Sequence, residues 1–194
     1  PAAIEAAWPH LNSADRSLRF AARVAIENQP LASWKDKALA ETKVNAAIQA
    51  MIALARTNDR SLQPQIIDKL NSLPMERMSE EQLVGVARAY GLAFIRLNEP
   101  AKIKSPITPP ADPALAAKVI ARLKGLFPHQ NEFVNRELCT VLTYLQWTGV
   151  AEPSMKLLAA GQTQEDQLYY AFVLRNAANL LNADLRRAYV GWLN

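Results

Sequence analysis

The sequence is poor in the residues from which most active sites are built. It holds one cysteine and two histidines in 194 residues. One cysteine excludes an intrachain disulfide and any cysteine-based metal cluster. Only six glycines are present, and none falls in a phosphate-cradling loop, a serine-nucleophile elbow or a metalloprotease helix. No apolar run approaches the roughly 20 residues that cross a bilayer as a helix. No segment alternates at period two for long, so strands are not expected.

What is present is an ordinary globular balance of 50% hydrophobic and 21% charged residues, with a mild formal excess of +4. A chain of this length buries about 70% of its unfolded surface. A basic total does not by itself make a nucleic-acid site, which needs the charge gathered on one face. The twelve prolines are uneven: five lie from Pro100 to Pro113. The first residue is Pro1 rather than methionine, and the expectation is a processed or excised piece of a longer protein.

Helical periodicity runs through the chain. In "DRSLRFAARVAIENQ" it predicts a buried face of Leu18, Ala21, Ala22, Ala25 and Ile26, with Arg16, Arg19 and Arg23 turned away. "TKVNAAIQAMIALAR" places Val44, Ala47, Ile48, Met51, Ile52 and Ala55 together, and "NEFVNRELCTVLTYLQ" does so with Val134, Leu138, Val141, Leu142 and Leu145. Seven further segments read the same way, giving about ten helices. Ser79 with Gln82 and Thr163 with Asp166 are expected to cap helix starts, and Pro64, Pro113 and Pro153 fall near starts.

Several helices echo one another, as do the strings "WPHLN" at 8–12 and "FPHQN" at 127–131. Degenerate helical hairpins of about 40 residues are the signature of a solenoid. The expected fold is therefore all-α, an α–α superhelix of HEAT or armadillo type. It is expected to form a single domain over 1–194 with an irregular proline-rich connection at 99–112.

The candidate sites are few. Cys139 stands about two turns into its helix and His129 lies before that helix in the turn, which favours packing over reactivity. His10 and His129 each follow an aromatic–proline pair, and a repeated turn accounts for both. Glu80–Glu81 and Glu165–Asp166 occupy first turns, where the helix dipole favours negative charge. Arg16, Arg19 and Arg23, with Arg186 and Arg187 toward the other end, form the one possible basic surface, although acids are interspersed. Trp34, Trp147, Trp192, Tyr169, Tyr170 and Tyr189 are expected in packing, with any group that projects together forming a protein-binding patch. No catalytic, cofactor-binding or metal residue is assigned.

The strings "LRFAARVAIENQPLASWKDKALAE", "RAYGLAFIRL", "VNRELCTVLTYLQ" and "TQEDQLYYAFVLRNAANLLNADLRRAYVGWLN" carry a resemblance that covers nearly the whole chain. It resembles the HEAT-like helical region of large secreted dehydrogenase-like proteins of planctomycete-type bacteria. In that family the region accompanies a β-propeller-like or sugar-dehydrogenase-like domain and a c-type haem domain. Haem attachment there needs a Cys-x-x-Cys-His string, whereas Cys139 opens "CTVLT", so no redox residue carries over. The resemblance implies a periplasmic or extracellular location and a non-catalytic role as spacer, scaffold or docking surface, with a protein partner or neighbouring domains. Two other classes stand beside it. One is a HEAT-like nucleic-acid-binding protein using a basic face, including a base-repair enzyme. The other is an enzyme whose site forms only with another domain.

Overall fold

The computed structural model of the protein describes residues 2–98 and 112–193. The proline-rich connection expected at 99–112 lies, apart from Asp112, outside the described residues. Among those described there is no strand, so the chain is all-α. It divides into two compact units, Pro1–Glu99 and Pro100–Asn194.

The first unit contains α1 (Ala2–Ala7), α2 (Arg16–Glu27), α3 (Lys35–Ala40), α4 (Val44–Arg56), α5 (Gln63–Asn71) and α6 (Glu80–Leu97). Its centre is α4, which packs on α2, α3, α5 and α6 and on the 3-10 turn at Trp8–Asn12. The sequence explains that position. Ala46, Ala47, Ala50, Ala53 and Ala55 are all buried, and their small side chains let neighbours close in on several sides at once. The same economy appears on α6, where a Cβ added at Gly85 would lie 3.1 Å from Ile48 Cγ2. Met51, Leu54, Ile66, Tyr90 and Phe94 fill the remaining core, and the Tyr90 hydroxyl donates to Asn71 Oδ1 at 2.6 Å.

The second unit contains α7 (Pro113–Leu123), α8 (Glu132–Tyr144), α9 (Ala151–Ala160), α10 (Gln164–Leu174) and α11 (Ala183–Leu193). Here α10 packs on both α8 and α9, α7 on α8, and α11 on α9. The apolar stripe predicted for α8 is buried in full, from Val134 to Leu145.

The caps follow the sequence. Ser79 and Gln82 form a reciprocal capping box at α6, and Thr163 Oγ1 accepts the Asp166 N–H at α10. Three expectations need correction. The described residues hold eleven α-helices rather than about ten, because Ala2–Ala7 forms a short helix too brief to show a period. The buried face of α2 is Arg19, Ala22 and Ile26, while Leu18, Ala21 and Ala25 are exposed. The matched strings also differ in backbone. Trp8–Asn12 is a 3-10 turn three residues short of α2, whereas Phe127–Pro128 is a cis peptide and Asn131 is itself the N-cap of α8.

An arginine-lined cleft and an uncovered apolar face

Asp15 opens α2 by accepting the N–H groups of Ser17 and Leu18. One turn later Arg19 turns back toward that same start. Its Nη1 donates to the carbonyls of Ser13 at 2.8 Å and Ala14 at 2.9 Å, and its Nη2 pairs with Glu81 in the first turn of α6. Arg19 is only 6% exposed. A buried guanidinium is tolerable here because its donors meet two carbonyl groups and a carboxylate.

The next turn of α2 brings Arg23, which pairs with Glu27 at 2.8 Å and lies 5.1 Å from the Phe20 ring centroid. Glu27 also receives Arg56 Nε at 2.9 Å. The buried Nε of Arg23 meets no acceptor among the described residues.

Arg19 and Arg23 belong to one wall of a cleft of about 270 Å³. Arg16, Arg19, Phe20 and Arg23 come from α2. The floor is Asn45, Ile48, Gln49 and Ile52 of α4, at the i, i+3, i+4, i+7 spacing of one helical face. The far wall is α6, with Glu81, Gln82, Val84, Gly85 and Arg88. Four arginines and one carboxylate therefore face a single concavity. The sequence pattern grouped Arg16, Arg19 and Arg23 correctly but missed Arg88, which is distant in sequence and was silent without the packing of α6 on α4.

The second unit repeats the arginine–carboxylate tie. Arg136 of α8 pairs with Glu165 at 3.1 Å and with Asp166, both in the first turn of α10. Its guanidinium lies 5.3 Å from the Tyr169 ring centroid, and the Tyr169 hydroxyl donates to the Arg136 carbonyl at 2.9 Å. The Asp166 bond, ahead of the Glu165 bond, pushes the Arg136 guanidinium further toward the charged form. The Thr163 hydroxyl and then Arg136 hold the Asp166 carboxyl below its ordinary range. Both acidic pairs flagged in the sequence thus meet an arginine of a neighbouring helix, beyond any service to the helix dipole.

Cys139 is fully buried, with Sγ 3.1 Å from Ser154 Oγ, and burial pushes its thiol up to about 11. A thiol so placed is a packing group. His10 is exposed in the first unit, while His129 in the second accepts the Asn131 N–H through Nδ1. Among the described residues no group of three or more His, Cys, Asp or Glu side chains is arranged to hold a metal ion. Trp34 is buried and donates through Nε1 to the Gln29 carbonyl. Arg186 donates to the Ala178 carbonyl in the turn before α11, and Arg187 pairs with Asp184 within that helix.

The largest departure from ordinary surface chemistry is on α10 and α11. Tyr170, Ala171, Val173 and Leu174 of α10 are buried, yet Leu168 and Phe172 of the same helix are 53% and 61% exposed. Among the described α-helices α11 alone has no buried residue, and it exposes Val190 and Leu193. Leu168, Phe172, Tyr189, Trp192 and Leu193 line an open hollow of about 520 Å³ between the two helices. Three of the aromatics flagged in the sequence converge nearby: Tyr169, Tyr189 and Trp192.

Among known proteins, no family profile matches the chain and no curated protein is significantly similar to it. No helix among the described residues is long and apolar enough to cross a membrane.

Proposed function

We propose that the chain is a non-catalytic helical-repeat scaffold, a HEAT-like superhelix of paired helices that acts by presenting surfaces to other protein domains. On this reading it belongs to a larger secreted redox protein of dehydrogenase and cytochrome type, in the periplasm or outside the cell. The observation that carries the reading is the uncovered apolar face of α10 and α11. An exposed apolar hollow rimmed by Glu165 and Arg175 has the composition of an interaction core with a polar rim. Burying Phe172 and Leu168 against a neighbouring domain would each contribute roughly 1.5–3 kcal/mol. Stacked helical repeats need such a neighbour, because no single repeat covers its own apolar side. The resemblance of the chain to the helical region of the dehydrogenase-like proteins supplies the identity of that neighbour.

The test is the intact mass and visible spectrum of the native polypeptide that carries this sequence, isolated from its source. The expected result is a chain much longer than 194 residues with a haem absorption band. A colourless chain ending near these residues would overturn the redox reading.

The arginine cleft gives a second reading some support, as a basic face for nucleic acid. Such a face should bind DNA at low salt and lose it steeply as salt rises, through release of condensed counterions. No DNA binding at low salt removes that reading.

A further inference from the structure

We infer that the cleft between α2, α4 and α6 is a binding site for an extended acidic peptide segment. The cleft presents three chemistries side by side, and a peptide of that kind uses all three. The exposed guanidiniums of Arg16 and Arg88 stand on opposite walls, where carboxylate side chains would accept charge-assisted hydrogen bonds. Amides of Asn45 and Gln49 lie along the floor, and an amide offers both a donor and an acceptor, as a peptide backbone requires. Ile48, Ile52 and Val84 lie between them and would take aliphatic stems.

Part of this equipment has no use within the chain. Arg16 is exposed and forms no ion pair with the described residues. Gln49 is half-buried and its amide makes no hydrogen bond to them. The rest of the lining is already fixed. Arg19 is held by Ser13, Ala14 and Glu81, and Gln82 donates to Asn45 Oδ1 at 2.9 Å while its own carbonyl oxygen accepts the Ser79 N–H. Charged and polar groups held in place before binding lower the ordering cost of association.

The arginines alone would suit nucleic acid, and the rest of the lining favours peptide over it. A single-stranded site needs several aromatic platforms, and the lining has one, Phe20, whose ring already faces the Arg23 guanidinium. Peptide fits the mixture of amides and aliphatic side chains better than a phosphate backbone does. The inference concerns only the first unit's cleft. It stands or falls separately from the redox scaffold, since the mass and spectrum of the native polypeptide do not bear on it.

Fluorescence anisotropy tests it, using a short fluorescein-labelled peptide of alternating glutamate and leucine with blocked ends. The probe should bind, weaken as salt rises, and bind at least about tenfold more weakly to the double variant Arg16→Gln, Arg88→Gln, whose sites are exposed. Gln49→Glu, which puts a carboxylate on the floor, should weaken it similarly. Helix content and melting temperature read on each variant separate a lost site from a lost fold. Three results would overturn the assignment: no binding of the peptide, binding unchanged in both variants, or tighter binding of an oligothymidylate of matched charge. Displacement of the peptide by inorganic phosphate far below the chloride concentration that displaces it would also overturn it, by reducing the cleft to a simple oxyanion site.

Discussion

Helices α2 and α8 begin alike and end in different surroundings. Each is N-capped by a side-chain oxygen, from Asp15 and Asn131 respectively. Four residues after each cap stands a buried polar residue that turns back to the preceding backbone: Arg19 to the Ser13 and Ala14 carbonyls, Asn135 to both backbone groups of His129. Eight residues after each cap the two helices part. That position is Arg23 in α2, lining an open cleft, and Cys139 in α8, sealed in the core. Uncovered surface in the second unit is found instead on α10 and α11, where it is apolar. Similar local architecture thus leaves a cationic concavity in one unit and a hydrophobic face in the other.

The sharpest way to break this comparison is to truncate one phenylalanine in each unit. Phe94 is fully buried in the first unit, and Phe94→Ala should cost about 3–5 kcal/mol in urea unfolding. Phe172 is exposed, and Phe172→Ala should change stability by less than about 0.5 kcal/mol. Comparable losses in the two variants would mean that the α10 face is already covered within the chain.

Cysteine chemistry sharpens the contrast at the eighth position. With its thiol raised to about 11 and its side chain sealed, Cys139 should react with iodoacetamide at least about 100-fold more slowly in the folded chain than in urea. A group whose folded pKa lies above its unfolded value stabilises the protein below the ordinary thiol range. That contribution is lost as pH rises from there toward about 11, so stability should fall with alkali across that window. Rapid alkylation of the folded chain would place Cys139 outside the core.

A smaller effect is expected at the fourth position. Arg19→Met keeps most of the side chain's bulk but leaves the Ser13 and Ala14 carbonyls without their donor, and should cost about 2 kcal/mol. Glu81→Gln removes only the carboxylate partner, which is 60% exposed and screened by water, and should cost less than about 1 kcal/mol. Equal losses would mean that the ion pair, rather than the carbonyl bonds, holds Arg19 in place.

The helical character of the chain was plain in its sequence, and the burial within it was plain only where the apolar stripe was wide. On α8 large aliphatic residues recur at helical spacing, and the structure buries them all. On α2 three of the five residues of the predicted apolar face are alanine, which is nearly indifferent to burial, so the pattern did not fix the face. In the folded chain Arg19 faces inward, donating to the Ser13 and Ala14 carbonyls, and Leu18 is turned out. The alanines of α4 hid its central position for the same reason. The arginines of the cleft were partly legible, because three lie on one helix. Arg88 and the amide floor came from helices whose neighbours no local pattern specifies.

The measurement that tests the scaffold account most directly is hydrogen–deuterium exchange on the native polypeptide and on residues 1–194 alone. The account predicts that Gln164–Leu174 and Ala183–Leu193 exchange slowly in the native polypeptide and faster in the isolated chain, while α4 is equally protected in both. Equal exchange of α10 and α11 in the two samples would contradict it, because the apolar face would then have no partner domain to cover it.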